Sequence, residues 1–284
     1  MSDPRILALR DPSWISYTLA ENHLASLAEL LEQPRGGRMR NIALLGETNN
    51  GKTTLINQFI KKHNPPLDPN KDHVTRLIVK CDMPAVPDES RLYQSILASL
   101  NADGSPKETP DSKFRRLKMI LARLGTRMLI IDETTNVSAI KGARLQGLLN
   151  AIKQLGNELE IAIVLAGLPE YMNVIAQNKQ LANRFSPLLL PRWDDGASYA
   201  SLLLAFEVTF GLKKPCDFRR KTVVTAVHSS CEGLIGETGE LLRRLARRAI
   251  ENGSECILLS DLQPESLKSL GWIRPSNRAR LSGM

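Results

Sequence analysis

Aromatic residues and cysteines are scarce in this chain, and neither cysteine nor histidine is spaced as a metal site requires. Aromatic residues make up 5% of the 284 positions, and there are four cysteines and four histidines. The cysteines lie far apart, without a C-x-x-C pair, at Cys81, Cys216, Cys231 and Cys256. This pattern argues against a zinc-binding or disulfide-rich domain and is typical of isolated thiols in a reducing cytoplasm.

Long hydrophobic runs are also missing from the sequence. No apolar run approaches the roughly 18 residues of a membrane span. The first residues, MSDPRILALRDPSW, lack the pattern of a signal peptide. We therefore expect a soluble, cytoplasmic protein without a membrane partner. The 38 basic and 30 acidic side chains leave a net charge of +8, which is compatible with a polyanionic partner such as nucleic acid.

Five short apolar runs alternate with helical patterns over the first two thirds of the chain. The runs that predict strands are 41–46, 74–81, 127–132, 160–167 and 186–191. The patterns that predict helices in this part are 17–32, 51–62, 89–101, 112–124, 142–156 and 170–183. Continuous apolar strands that alternate with helices predict an α/β fold, with a five-stranded parallel sheet covered by helices on both faces.

The pattern changes after Pro191, where no further strand is predicted. The remaining helical patterns are 196–211, 217–231, 237–252 and 260–270. We therefore predict four parts, which are an N-terminal helical segment (1–40), an α/β nucleotide-binding core (41–195), a small helical domain (196–272) and a flexible basic tail (273–284).

The stretch LLGETNNGKTTLINQF, residues 44–59, matches the complete phosphate-loop pattern between a strand and a helix. Backbone N–H groups of such a loop and of the helix N-terminus bind phosphate oxygens. Lys52 would reach the β and γ phosphates, and Thr53 would bind magnesium. The residues predicted to contact the nucleotide here are Gly46, Glu47, Thr48, Asn49, Asn50, Gly51, Lys52, Thr53 and Thr54.

A pair of carboxylates follows another predicted strand, in the stretch MLIIDE at 128–133. Asp132 would hold the magnesium ion, and Glu133 would polarise the attacking water. The pair could also be a solvated loop, but its position downstream of a phosphate loop favours the functional interpretation. A residue that positions water favours hydrolysis over phosphoryl transfer to a small acceptor.

Arg184 lies at a predicted helix end, just before the last strand, in QLANRFSPLLLPRW at 180–193. In a ring or filament this edge would face the nucleotide of a neighbouring subunit, where an arginine stabilises the charge of the transition state. An arginine that simply caps a helix C-terminus explains the position equally well. The residues alone leave both interpretations open.

Taken together, these residues resemble the initiator-like AAA+ ATPases, and more narrowly the TniB family of bacterial transposon ATPases, which is akin to TnsC and MuB. The run from Leu148 to Asp195 is more specific to that family than the phosphate loop. The matching stretches are WISY (14–17), RMRNIALLGETNNGKT (38–53), LLNAIKQLGNELEIAIVLAG (148–167), QLANRFSPLLLPRWDD (180–195) and CEGLIGETGELLRRLARRAI (231–250).

The resemblance implies an AAA+ ATPase that uses ATP and Mg²⁺ and carries a C-terminal helical lid. Such proteins assemble on double-stranded DNA as filaments or rings, mark a target site and recruit a DDE-type transposase, with hydrolysis linked to disassembly. A TniQ-like targeting adaptor is a further implied partner. The resemblance also implies that Arg184 is a trans-acting arginine finger and that Gly236, with the segment as far as Arg243, lies over the nucleotide. The expected location is the bacterial cytoplasm, on DNA.

Two positions depart from the family pattern. Thr135 stands where the family commonly has histidine, and Leu168 stands where a polar sensor residue is expected. The segment GETGELL also lacks a clear sensor arginine, since Arg243 and Arg244 come late. We expect ATP binding to survive these departures and turnover to be slow.

The stretch SPKETPDSKFRRLKMILARLGTR, residues 105–127, is rich in basic residues. In related filaments, segments after the second strand line the surface that faces DNA, so Lys107, Lys113 and Arg116 are the first candidates for phosphate contacts. Basic residues without interleaved aromatics suit contacts with the DNA backbone rather than the bases. An amphipathic helix with solvated charges explains the same stretch equally well.

Two other functions share the same phosphate loop and carboxylates. One is an oligomeric scaffold that is gated by nucleotide and does not bind DNA. The other is an initiator-type helicase loader, which would use DNA together with a replicative partner. The family-specific stretches favour the transposition regulator, while composition alone leaves all three open.

Overall fold

The computed structural model describes residues 3–9, 14–37, 39–66, 74–105 and 107–281. The described chain forms two compact units. The sheet unit comprises Thr18–Thr48 and Lys52–Leu190. The helical unit comprises the described residues of Met1–Tyr17, Asn49–Gly51 and Pro191–Met284.

The sheet unit contains five strands in one sheet. The strands are β1 (Asn41–Gly46), β2 (Ile78–Asp82), β3 (Met128–Asp132), β4 (Ala162–Gly167) and β5 (Phe185–Leu190). All four neighbouring pairs are parallel, and the spatial order is β2-β3-β4-β1-β5. This arrangement confirms the predicted five-stranded parallel sheet flanked by helices.

Helices connect the strands and make up most of the rest of the chain. Those of the sheet unit are α2 (Thr18–Glu32), α3 (Lys52–His63), α4 (Glu89–Ser99), α5 (Pro110–Arg123), α6 (Gly142–Leu159), α7 (Tyr171–Ala176) and α8 (Lys179–Ala182). Those of the helical unit are α1 (Pro4–Ala8), α9 (Ala197–Phe210), α10 (Lys221–Cys231), α11 (Ile235–Glu251), α12 (Pro264–Ser269) and α13 (Pro275–Leu281). Short 3-10 helices occur at Thr134–Ala139 and Leu259–Leu262.

The central strands are apolar because both of their faces are covered. Every residue of β1, β3 and β4 is buried, and each fully buried aliphatic side chain contributes about 1.5–3 kcal/mol relative to exposure. The edge strand β5 is partly exposed, because only its first and last residues are buried. It includes Pro187, which is tolerated at an edge because the missing N–H leaves no interior ladder bond unmade.

The helical unit has its own apolar core, formed by one face of α9, α10 and α11 and by the short helices that follow. The apolar side of α11 is buried, with Leu241, Leu242 and Leu245 at most 2% exposed. Its arginines lie off that face, and Arg247 pairs with Glu251 one helical turn away. This arrangement agrees with the amphipathic pattern of the sequence.

Two predicted elements differ from the structure. The helix predicted over 170–183 is divided into α7 and α8, because Asn178 is extended and its side chain accepts hydrogen bonds from Gln180 and Leu181 N–H. The tail predicted to be flexible over 273–284 contains α13, where Trp272 and Glu237 give Arg278 fixed partners. Residues 282–284 lie outside the described residues.

The boundaries of the two units also differ from the predicted domains. The N-terminal segment predicted over 1–40 is divided, since its described residues up to Tyr17 belong to the helical unit and those from Thr18 belong to the sheet unit. The last and longest stretch of the helical unit begins at Pro191, whereas the predicted helical domain begins at 196. The helical unit also includes Asn49–Gly51, because Asn49 and Asn50 form hydrogen bonds with residues far along the chain. The periodicity of the sequence does not reveal such contacts.

All four cysteines are free thiols, as predicted. Burial raises the pKa of Cys81 to about 12 and the pKa of Cys216 to about 12, so both thiols stay protonated at neutral pH. Among the helices of the described residues, none is long and apolar enough to cross a membrane.

Candidate nucleotide site

Two strands of the parallel sheet end at motif residues, on the same edge of the sheet. Gly46 ends β1 and opens the phosphate loop, and Asp132 ends β3. In parallel α/β sheets, ligands bind outside the carboxyl ends of the strands, where loops and helix N-termini converge. The two sequence motifs therefore meet at the edge of the sheet where a ligand is expected.

Lys52 begins α3 directly after the loop. Its Nζ atom donates to the carbonyl oxygens of Gly46 and Glu47, at 2.8 Å each. Partial burial lowers the pKa of Lys52, and the neighbouring carboxylates of Asp132 and Glu133 oppose that shift. The ammonium group is thus held inside the loop by weak acceptors that phosphate oxygens, as stronger anionic acceptors, can replace.

Thr53 and Asp132, the two predicted magnesium ligands, lie in direct contact. The Thr53 hydroxyl donates to Asp132 Oδ2 at 2.9 Å, and the N–H of Glu133 donates to Asp132 Oδ1 at 2.9 Å. These two donors hold the carboxylate of Asp132 in one orientation. Burial leaves it little room to move, since Asp132 is 1% exposed. A buried carboxylate and a hydroxyl are hard oxygen ligands of the kind that Mg²⁺ binds beside nucleotide phosphates. The residues present therefore fit the ion.

Lys80 is a further member of this cluster that sequence reasoning missed. It lies in β2, and its Nζ atom is 3.1 Å from Asp132 Oδ2. The ammonium compensates the buried carboxylate, which would otherwise be costly to keep charged. A single lysine inside the apolar strand LIVKCD was the available signal, because a charge is rarely placed in a buried strand without a partner.

Glu133 differs from Asp132 in exposure and in backbone conformation. Its side chain is exposed, and its φ angle is +57°, in the left-handed region. That conformation costs a residue other than glycine about 1–2 kcal/mol. Glu160 has a similar backbone conformation, so this feature does not by itself distinguish Glu133, and its role in orienting water stays a prediction.

The end of β4 carries no polar side chain, as the sequence indicates at Leu168. Gly167 ends the strand, and the hydroxyl of Thr134 lies against it while donating to Ala166 O at 3.0 Å. A Cβ atom at position 167 would lie 1.9 Å from Thr134 Oγ1. Thr134 therefore occupies the space beside the strand end. Thr135, which stands at the family's histidine position, is exposed.

The residues Asn49 and Gly236 meet within the helical unit. Asn49 has a φ angle of +59°, and its carbonyl accepts from the N–H of Gly236 at 3.0 Å. A Cβ at position 236 would lie 2.1 Å from Asn49 Oδ1. Gly236 is required for this close approach to the loop residue, and the nucleotide contact that the family resemblance implies for it stays a prediction.

Arg184 lies at the opposite edge of the sheet. It precedes β5, and its carbonyl accepts from the N–H of Asn41, the first residue of β1. The six residues of β1 separate that position from Gly46, a distance of roughly 15–20 Å at the rise of an extended strand. Arg184 thus lies far from Lys52, Asp132 and Glu133 of its own chain. Its guanidinium donates to the side chain of Asn157.

The three predicted DNA contacts lie in different environments. Lys113 is 5% exposed, and its Nζ atom donates to Ser90 Oγ at 3.0 Å. The structure therefore argues against a DNA contact at Lys113, because its side chain is buried against α4. Arg116 is paired with Glu108 at 2.6 Å, and that carboxylate offsets its charge. Lys107 is exposed.

A five-stranded parallel sheet with a phosphate loop after β1 and a buried carboxylate at the end of β3 defines an AAA+ P-loop ATPase fold. The model of the family described as bacterial TniB protein matches residues 5–195, more than half of the chain. The chain belongs to the TniB family, as its sequence resemblance indicated. A comparison with curated protein sequences gives no match.

Several solved structures share this fold. Cdc6p from Pyrobaculum aerophilum superposes with a TM-score of 0.64 at 16% identity, over 95% of this chain and 71% of that one. The ORC1 protein of Aeropyrum pernix, in complex with DNA, gives 0.65 at 18% identity, over 98% and 69%. A Walker-type ATPase of Pyrococcus abyssi gives 0.58 at 14% identity, over 88% and 71%. At these identities, the likeness establishes the fold.

Proposed function

We propose that this chain is an ATP-dependent regulator of transposition. It assembles on double-stranded DNA as filaments or rings, marks the target site and recruits a DDE-type transposase, together with a TniQ-like adaptor. ATP hydrolysis drives its disassembly. The observation that carries this proposal is the TniB family match, which spans the phosphate loop, Asp132, Glu133 and Arg184.

The chemistry of the site supports ATP hydrolysis. Lys52 transfers its hydrogen bonds from the loop carbonyls to the β and γ phosphates, and the amides at the start of α3 bind the same phosphates. Thr53 and Asp132 would hold Mg²⁺, which would offset the negative charge of the phosphate oxygens. Glu133 orients the attacking water.

The position of Arg184 supports assembly. It lies at the edge of the sheet opposite Gly46 and Asp132, so it serves a nucleotide that a neighbouring copy holds. Hydrolysis is then slow in the monomer and faster in the assembly, because an arginine supplied in trans stabilises the charge that develops on the transferred phosphoryl group.

The DNA contact proposed for this chain uses exposed cations near the start of α5 and along its outer face. Lys107 and Arg115 are exposed, and both belong to the stretch that the sequence singled out. The ORC1 protein of Aeropyrum pernix, which has the same fold, is described in complex with DNA. Contacts of this kind with phosphates carry little sequence preference.

Electron microscopy of the protein with duplex DNA, in ATP, ADP or no nucleotide, tests the proposal. We expect ordered filaments or rings that need both DNA and ATP. The Lys52→Ala protein should form none, because it loses the cation that binds the β and γ phosphates. Assembly without DNA would instead support the scaffold function, and Lys52→Ala assemblies equal to those of the unmodified protein would overturn the role of ATP.

The salt dependence of DNA affinity separates exposed from buried cations. For the Lys107→Ala/Arg115→Ala double variant, the plot of log affinity against log salt concentration should lose about 1.8 units of slope, or about 0.9 per lost phosphate contact. Lys113→Ala should leave the slope unchanged and instead lower the free energy of unfolding by about 1–2 kcal/mol, because it removes a buried stem and a hydrogen bond. Fluorescence anisotropy at several salt concentrations and urea titration measure the two effects.

A further inference from the structure

A buried carboxylate lies at the start of α11, in the helical unit. Glu237 is 5% exposed, and burying a charged group is costly unless hydrogen bonds and an opposite charge compensate it. Its Oε1 atom accepts from Asn49 Nδ2 at 2.8 Å. Its Oε2 atom accepts from the guanidinium of Arg278 in α13. One carboxylate therefore joins a residue of the phosphate loop to the C-terminal helix.

Arg278 is held in place by two further contacts. Its Nε atom donates to Ile273 O at 3.0 Å, and its guanidinium lies 5.4 Å from the centre of the Trp272 ring. That ring is a fixed platform, since Trp272 is 8% exposed and its indole N–H donates to Ser230 O at 3.0 Å. A cation near the face of a tryptophan adds about 0.5–2 kcal/mol.

Asn49 is held through its backbone as well as its side chain. Its left-handed conformation is one that asparagine tolerates better than most residues. The N–H of Gly236 donates to its carbonyl, and the Glu237 carboxylate accepts from its side-chain amide. The next loop residue is tied to the same unit, since Asn50 Nδ2 donates to Pro191 O at 3.0 Å.

We propose that Glu237 and Arg278 are positioning residues that hold Asn49, and with it the phosphate loop, in the conformation that receives nucleotide phosphates. The C-terminal helix α13 thereby sets nucleotide affinity without contacting the nucleotide. This inference rests on the proposed binding of ATP at the phosphate loop.

Removing the guanidinium leaves the Glu237 carboxylate near the loop without its cation. The uncompensated carboxylate then turns toward water, and the side-chain amide of Asn49 loses its fixed acceptor. Displacement of α13 from Trp272 would remove the same cation from Glu237.

Binding of fluorescent ATP and ADP analogues to the full chain tests the proposal with matched arginine variants. Arg278→Ala should weaken nucleotide binding about tenfold, because the half-exposed Arg278 no longer donates a charge-assisted hydrogen bond to the buried Glu237 carboxylate. Arg278→Lys keeps the charge and should restore part of the affinity. Arg274→Ala removes an exposed arginine from the same segment and should change the dissociation constant less than about twofold, within the range of a neutral surface substitution.

Hydrogen exchange of the amides of residues 49–51, in the protein without nucleotide, provides a second readout. Arg278→Ala should speed this exchange, and Arg274→Ala should not. A contribution of Arg278 to stability alone would lower the melting temperature of the variant but leave affinity and local exchange unchanged, which would overturn the proposal. If the unmodified protein binds no nucleotide, the proposed function fails, while the exchange comparison still decides whether Arg278 holds the loop.

Discussion

The Glu133→Gln protein is expected to bind ATP as tightly as the unmodified protein and to hydrolyse it roughly 100- to 10,000-fold more slowly, the usual contribution of a positioned general base. The substitution keeps the size and the backbone of the residue and removes only the negative charge. Because the Glu133 side chain is exposed, we expect no loss of stability. Asp132, which holds Mg²⁺ in the proposed mechanism, is untouched.

The chain offers a closely matched control for this substitution. Glu160 is also an exposed glutamate in the left-handed region, with a φ angle of +49°. It precedes β4, at the edge of the sheet opposite the phosphate loop, so Glu160→Gln should leave turnover unchanged. Single-turnover hydrolysis and nucleotide binding measured on both variants separate chemistry from affinity.

The same substitution should also prolong assembly. If hydrolysis drives disassembly, Glu133→Gln complexes formed with ATP should persist on DNA when free protein is diluted, whereas those of the unmodified protein should decay. Turnover equal in the two proteins would show that Glu133 does not orient the water. Slow turnover with normal decay would disconnect hydrolysis from disassembly.

Gly167→Ala is expected to lower the free energy of unfolding by about 2–3 kcal/mol, toward the upper end of the usual cost of overpacking a core. The new Cβ would lie 1.9 Å from Thr134 Oγ1 and 3.3 Å from Thr134 Cβ. Thr134 is fully buried, and its branched side chain has few rotamers to adopt. Rotation away from position 167 would also break its hydrogen bond to Ala166 O.

Gly147→Ala is the opposite case in the same unit. Gly147 lies inside α6, and a Cβ built there meets no atom within 4 Å. Alanine should therefore stabilise the protein by about 0.5–1 kcal/mol, since it restricts the unfolded chain and favours helix. Urea unfolding of both variants measures the contrast.

A double variant identifies the cause of the Gly167→Ala effect. Thr134→Ala removes the hydroxyl that the new Cβ would meet, so Thr134→Ala/Gly167→Ala should be more stable than the sum of the two single effects. Additive effects, or a Gly167→Ala protein as stable as Gly147→Ala, would contradict the close packing of Thr134 against the end of β4.

The parts of the site that could be predicted from sequence are contiguous in the chain. The loop from Gly46 to Thr53 and the pair Asp132 and Glu133 each follow an apolar strand, so their chemistry can be read from local order. The parallel sheet could be predicted for a similar reason, because buried strands need apolar residues on both faces. The contact between Thr53 and Asp132 agrees with this order, and their roles stay predictions.

The misplaced and missing residues depend on partners that lie elsewhere in the chain. Lys113 belongs to a basic stretch, yet α4 covers it, and Ser90 Oγ accepts a hydrogen bond from its Nζ atom. Lys80 reaches Asp132 only because β2 and β3 are neighbours in the sheet. An amphipathic pattern cannot tell which cations of a helix will be covered.

The sequence by itself determined the family of the protein, its sheet and its phosphate-loop motif, since these follow from local patterns of burial and from a motif whose residues are adjacent. Only the tertiary structure decided which charges are compensated and which elements hold the loop. Asn49 and Glu237 are separated by 188 positions, and Arg278 joins them from a segment that looked flexible. Charge pairing and loop positioning depend on residues that folding brings together. Such residues are not separated by any regular spacing in the sequence, so the sequence alone does not reveal them.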